Sequence, residues 1–382
     1  MALSRWTGVA GVALTACLAW AALLAADAHF KFGGDPRGML FVGRNLHHPP
    51  ALADVPRCGA FGYDGQFYAA LAADPWLRSE ETLRSLDAPG YRAGRILLPV
   101  LAWVLALGNA GAAVVAYQAL CWTLALAAIV LVSAWLRGEG ASPWWALLLV
   151  PNAGLVTSML RSTPDAAAAA LVLAMLLLRR GGRHGAAVAL AALATLARET
   201  SLLAALAVAL DELLRGERRR ALAYVAAPLL ATLAWQGWIE TAWHPSYRLP
   251  TSLAPPFTGL GAKLAATLQA PAVDWQELSG VLAAALTVAG IAAVLARRWR
   301  GEAGAGTYLA FAVLALFLGA KAYADAYASS RALVVAPFLA VALAARPGPR
   351  WARVLLLAGP VAYALAGLAM VRAELGPFLP AP

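Results

Sequence analysis

In Gly62-Tyr63-Asp64-Gly65-Gln66-Phe67-Tyr68 a carboxylate stands between an aromatic residue and a glycine. That setting leaves the acid exposed and close to backbone. Gln66 and the aromatic residues Tyr63, Phe67 and Tyr68 suit a hydroxylated ligand. A carboxylate so placed can take the proton of an acceptor hydroxyl as a general base. Asp64 is therefore the candidate catalytic residue. Alternatively, Asp64 only caps a helix that begins at Gly65.

Other polar residues stand out in so apolar a chain. Asp35, Arg92 and Arg95 share the segment of Asp64, and Arg161 and Asp165 flank Ser-Thr-Pro. Arg198 and Glu199 are adjacent, Tyr247 belongs to a second polar segment, and Tyr323 and Arg331 belong to a third. Arginines can hold a phosphate bidentately and stabilise the charge that develops on it as it leaves. Arg331, Arg95, Arg161 and Arg92 are candidate phosphate ligands. Gln66, Tyr63, Asp165, Arg198, Glu199, Tyr247 and Tyr323 are candidate substrate contacts. One carboxylate with several arginines suits a lipid-phosphate leaving group and a hydroxyl acceptor, joined by single displacement with inversion. No Gly-rich nucleotide-phosphate motif occurs, which disfavours a nucleotide donor. Structural roles compete at each position. Asp165 follows Pro164 and would complement a helix N-terminus. Arg198 and Glu199 would neutralise one another. Arg331 would snorkel to an interface, and Arg95 would anchor a short helix.

The elements that position these residues are membrane helices. Hydrophobic residues make up 62% of the 382 and charged residues 13%, with a mean hydropathy of +0.68. This is the composition of an all-α polytopic membrane protein forming a single integral domain. Apolar runs predict spans near 6–26, 111–136, 143–160, 165–180, 185–198, 200–214, 221–240, 278–296, 305–322, 331–345 and 352–371. The apolar segment 95–108 covers roughly 21 Å as a helix, too little for a ~30 Å core. Basic clusters at Arg137, Arg179, Arg215, Arg297 and Arg346 fall on one side with Arg5 only if 95–108 does not cross. We therefore expect a juxtamembrane or re-entrant helix there, eleven spans, and a cytoplasmic N-terminus. Long loops at 27–94 and 241–277 then lie outside, on the side of Asp64.

Charge placement excludes nucleic acid as the expected partner. Of 30 Lys and Arg and 20 Asp and Glu, 15 basic and five acidic residues fall on the cytoplasmic side. The other side is balanced, so the whole +10 excess is a topology signal. The three cysteines and five histidines show no disulfide framework or metal spacing. No cofactor is expected, although a divalent metal at Asp35 and Asp64 stays open.

Tyr63-Asp64-Gly65-Gln66-Phe67-Tyr68, Asp87-Ala-Pro-Gly-Tyr91-Arg92-Ala-Gly-Arg95, Arg161-Ser-Thr-Pro-Asp165 and Arg198-Glu199-Thr200 together resemble bacterial membrane proteins of the GT-C glycosyltransferase superfamily. The similarity is strongest to a mannosyltransferase-like branch and runs in order over nearly the whole chain. The resemblance implies a GT-C bundle with juxtamembrane helices in the first outer loop. It implies a polyprenyl-phosphate-linked sugar as donor and a periplasmic glycan, lipid or protein as acceptor, at the bacterial inner membrane. It also implies an acidic base in the first outer loop, which maps to Asp64 with Asp35 as runner-up. The chain departs from the branch at Ser162, where an acidic residue more often follows the arginine. A transporter or flippase for a lipid-linked or anionic substrate, and a non-catalytic assembly partner, are the alternatives.

Overall fold

The computed structural model describes residues 3–243, 252–297 and 302–378. Among these the chain is helical, and its β-type pairings are isolated bridges, Val42 with Arg57 and Leu253 with Leu318. Ala and Leu, which dominate the apolar runs, are strong helix formers. α1 (Leu3–Phe32) stops at Gly33 and Gly34, both at positive φ. The polar segment that follows holds a 3-10 turn at Pro36–Leu40 and the short helices α2 (Gly65–Ala73), α3 (Glu80–Arg84) and α4 (Pro89–Ala93). α5 (Leu97–Leu105) has nine residues. α6 (Ala110–Gly138) starts on Asn109, whose side chain accepts from the Ala112 N–H at 2.9 Å.

A 3-10 turn at Pro143–Leu149 bends by 64° into α7 (Ala153–Leu160). Then come α8 (Asp165–Arg180), α9 (His184–Ala197), α10 (Leu202–Leu214) and α11 (Arg218–Trp243). α12 (Thr258–Gln269), α13 (Trp275–Ala296) and α14 (Ala303–Phe317) precede α15 (Ala326–Ala332), which bends by 59° into α16 (Val335–Ala344). α17 (Arg350–Leu375) packs along α13.

Among the described residues five helices are long and apolar enough to cross a membrane, α1, α6, α11, α13 and α17, or up to seven spans if each bent pair makes one. This is fewer than the eleven expected from apolar runs. The runs are cut by Gly181–Gly182, by the turn at 198–201 and by the loops around α14. α8, α9, α10 and α14 have 16, 14, 13 and 15 residues, or about 20 to 24 Å of helix. The architecture is a polytopic helical bundle.

Small residues let the helices approach closely. A Cβ at Gly367 of α17 would meet the Pro151 carbonyl oxygen at 1.8 Å. One at Gly154 of α7 would meet the Ser330 carbonyl oxygen at 2.6 Å, where the two bent pairs touch. Buried α8 links two polar ends: Asp165 opens it, and Arg179 and Arg180 close it, about 21 Å further along. Each end carries its own ion-pair network.

Candidate active site

α2 begins directly after Asp64, yet the Asp64 side chain makes no cap hydrogen bond. Its Oδ1 lies 3.0 Å from Arg92 Nη1, and its Oδ2 accepts from Arg331 Nη2 at 2.7 Å. The carboxylate is held between two guanidinium groups and does not cap its helix. Close packing of the loop puts it there. Gly62 sits at φ +66°, and a Cβ at this position would meet the Phe41 carbonyl oxygen at 2.1 Å. A Cβ at Gly65 would meet the Arg161 carbonyl oxygen, also at 2.1 Å. Gln66 locks the loop: Oε1 accepts from the Gly43 N–H at 2.9 Å and Nε2 donates to the Phe61 carbonyl at 2.7 Å. Both ends of its amide are engaged by backbone, so Gln66, expected as a substrate contact, is a positioning residue.

Ion pairs run outward from Asp64 in both directions. Arg92 forks onto Asp87 through Nε and Nη2, each at 2.8 Å, and lies 4.5 Å from the centre of the Phe67 ring. Arg331 Nε donates to Asp165 Oδ2 at 2.6 Å, and its guanidinium lies 5.2 Å from the Tyr63 ring centre. Asp165 also accepts from Thr163 Oγ1 at 2.7 Å and pairs with Arg198. Alongside, Arg95 forks onto Glu199 at 2.8 and 2.5 Å and donates to the hydroxyls of Tyr68 at 3.0 Å and Tyr91 at 2.5 Å. Four carboxylates and four guanidinium groups therefore meet, drawn from the loop before α2, from α4, from the start of α8, from the turn after α9 and from α15.

Exposure is graded across this network. Asp165 is fully buried, and the side chains of Arg331 and Arg92 keep 7% and 9% of their surface. Asp64, Asp87 and Glu199 keep 22%, 44% and 47%. The site opens on its carboxylates and keeps its arginines beneath them. Burial disfavours charge on Asp64, but Arg331 and Arg92 outweigh it and hold the carboxyl well below the usual carboxylate range. Glu199 is likewise penalised by burial and brought down to about 2 by Arg95.

Arg161 belongs to a neighbouring cluster. It pairs with Glu374 of α17 and lies 3.5 Å from the Phe41 ring centre. Lys31 of α1 also pairs with Glu374 and holds Asp27 at 2.8 Å, and the Tyr327 hydroxyl donates to Glu374 at 2.9 Å. The Tyr63 and Tyr327 rings, with centres 6.5 Å apart, stand between the two clusters. Ser162 is buried at positive φ and its hydroxyl donates to the Met39 carbonyl at 3.2 Å, tying the 161–165 turn to the first loop.

The structure does not bring every expected residue together. Asp35 caps the Pro36–Leu40 turn and pairs with Arg37 at 2.8 Å, and Arg37 hydrogen bonds hold its carboxyl low. It does not share a partner with Asp64. Tyr323 is 2% exposed and its hydroxyl donates to the Ala315 carbonyl at 2.8 Å. Tyr247 lies outside the described residues. Among the described residues no cluster of three or more His, Cys, Asp or Glu is arranged to hold a metal.

Asp87 opens one of the quoted motifs without a role assigned to it, and Glu374 and the Lys31–Asp27 pair were not singled out from sequence. The last had a readable signal, since opposite charges four apart in an apolar helix share one face. The chain matches no family model, no curated protein and no solved structure.

Proposed function

We propose that the chain is an inverting membrane glycosyltransferase that moves a sugar from a polyprenyl-phosphate donor to a hydroxyl acceptor, with Asp64 as general base. One observation supports this above the others: a partly exposed carboxylate clamped between two buried arginines. As it stands, Asp64 is a poor base, because its basicity is suppressed by Arg92 and Arg331. A donor phosphate would compete for those guanidinium groups. As they turn to the phosphate, Asp64 loses its compensating charge while staying partly buried, and its proton affinity rises. It then takes the acceptor hydroxyl proton. The acceptor oxygen attacks the anomeric carbon, the carbon–oxygen bond to phosphate breaks, and the phosphate leaves with the electron pair, stabilised by the arginines. In this scheme the bundle crosses the bacterial inner membrane eleven times, with α5 juxtamembrane and the Asp64 end periplasmic. The acceptor is a glycan, lipid or protein on that side, and no cofactor takes part.

A transporter of a lipid-linked or anionic substrate is the second reading. Two bent helix pairs, at 64° and 59°, meet at Gly154 and Ser330, and broken helices build transporter binding sites. Glycosyl transfer by purified protein, with a panel of polyprenyl-phosphate sugars, separates the two. Folded Asp64→Asn should lose about 10²- to 10⁴-fold in rate. Transfer that survives the substitution would move the base elsewhere. Binding of lipid-linked sugar with no transfer from any donor would favour transport or a non-catalytic assembly role.

A further inference from the structure

At the Arg180 end of α8, an apolar groove of 210 Å³ opens where α6 and α16 finish and α17 starts. Leu136 of α6, Val341 of α16, Leu357 of α17 and Trp145 form its walls. Ser142 and Arg353 supply its polar side chains. A shallower groove of 230 Å³, lined by Ser142, Trp144, Trp145 and Leu148, lies against it and shares Ser142 and Trp145.

Arg353 is exposed and lacks a counter-charge. The 20 Asp and Glu of the chain all lie among the described residues, and none pairs with Arg353 or with Arg350, one turn before it. The nearby carboxylates are taken: Glu139 by Arg180 and by Arg346 at 2.8 Å, and Glu302 by Arg346. The charge that Arg353 does meet is another cation. Arg297 donates to the Leu343 carbonyl at 3.0 Å, at the end of α16, and burial together with the like charge of Arg353 lowers its pKa. α17 opens at Arg350 with no acidic residue in its first turn and no side-chain cap. Its dipole therefore adds to the positive potential instead of offsetting it.

These features select one kind of occupant. A soluble anion would meet Arg353 and leave the apolar walls in water. A second copy of the chain, or an apolar partner helix, would cover Arg353 without a counter-ion, which is costly. An anionic phospholipid matches both parts. Trp144, Trp145 and Trp351 are all exposed at this rim, as in an aromatic belt at headgroup depth. Beyond it the outer face of α17 continues through Val354, Val361, Leu365 and Leu368, exposed and apolar, along which acyl chains can run.

We propose that this site holds one anionic phospholipid, its phosphate on Arg353 and Ser142 and its two acyl chains in the two grooves that share Trp145. The site stands apart from Asp64 and does not rest on the transfer reaction.

Full-length protein, delipidated in detergent, is titrated with phosphatidylglycerol and with phosphatidylcholine, and native mass spectrometry counts the lipid bound. Wild type should bind one phosphatidylglycerol in clear preference to phosphatidylcholine. Arg353→Gln should weaken phosphatidylglycerol about fivefold or more and abolish the preference. Ala345→Leu, which narrows the groove and leaves every charge in place, should also weaken it. Arg218→Gln removes an exposed charge at the start of α11 and should change nothing. Equal loss in Arg218→Gln and Arg353→Gln would mean general surface charge and would overturn the site. Equal binding of the two lipids by wild type would overturn it too, as would unchanged affinity in Arg353→Gln. Displacement of the lipid by millimolar inorganic phosphate would make the ligand a soluble anion and overturn the phospholipid assignment. Should either variant fail to fold, the other decides alone, since unchanged phosphatidylglycerol affinity in it overturns the proposal.

Discussion

At Asp64 the two arginines that would serve a leaving phosphate also suppress the basicity the reaction needs. The pH dependence of stability follows from that contact. The folded carboxyl lies below its unfolded value of about 4. Its contribution is therefore present above that pH and is lost as pH falls toward the folded value. The difference in thermal midpoint between wild type and Asp64→Asn should stay constant from about pH 8 to 5 and shrink only below about pH 4. A difference that disappears near neutral pH would mean the carboxylate is not clamped. Arg331 has a different sensitivity, because it bridges Asp64 and Asp165 through two nitrogens. Arg331→Lys keeps the charge but cannot make both bonds in one plane. We expect a loss of about 1–3 kcal/mol in unfolding measurements, from a substitution that is conservative by charge. The sequence showed Asp64, Arg92, Arg95, Arg198 and Arg331 as residues out of place in an apolar chain. It could not show which acid meets which arginine, since Asp64 and Arg331 are separated by most of the chain. It also misjudged Gln66, because an amide bonded to loop backbone and one facing a ligand look the same in a motif.

Elements set these contacts through backbone approach, and glycines mark where. Gly65 lies at the start of α2, where alanine would normally help the helix by about 1 kcal/mol. Here a Cβ would strike the carbonyl oxygen of Arg161 at 2.1 Å. Gly65→Ala should therefore destabilise the protein and loosen the Asp64 loop, seen as faster proteolysis between α1 and α2. Gly261 of α12 has nothing within 4 Å of an added Cβ. Gly261→Ala should stabilise by about 0.5–1 kcal/mol. Opposite signs for these two glycine substitutions would follow from the packing and not from propensity. The same local logic explains what was legible among the elements. Long Ala/Leu runs became helices, and α9 and α10 are separated at Arg198, whose backbone is extended. The 64° and 59° bends were not legible. Pro151 and Asn152 mark the first break, where Asn152 Oδ1 caps α7 by accepting from the Gly154 and Leu155 N–H groups at 2.9 and 3.3 Å, but a local break does not fix an angle between helices; Gly154 packs against Ser330 and Val334.

Across the whole molecule, helix length and burial are related. The long apolar helices α1 and α11 are largely exposed in their apolar stretches, with 22% and 17% buried. α16, by contrast, is buried at all ten residues, and α8 at most of its length. A helix enclosed by other helices need not match the ~30 Å apolar thickness of a bilayer, because lipid does not contact its ends. Counting apolar runs gives eleven spans, and helix length with composition gives five to seven, because the sequence does not distinguish an enclosed short helix from one that faces lipid. Orientation then rests on the two charged ends of α8. If the bundle crosses a membrane as proposed, the Asp64 end and the phospholipid groove lie at opposite faces of it. In a cysteine-free variant, a cysteine at Phe61, 69% exposed beside the Asp64 loop, should react with an impermeant maleimide added outside intact cells. A cysteine at Gly216, in the exposed turn before α11, should react only after permeabilisation. A Phe61 cysteine that reacts only after permeabilisation would remove the periplasmic placement of Asp64 and, with it, access to a polyprenyl-linked donor displayed there. Labelling from opposite sides would keep the transfer site and the phospholipid groove at opposite faces of the membrane, about 21 Å of buried helix apart.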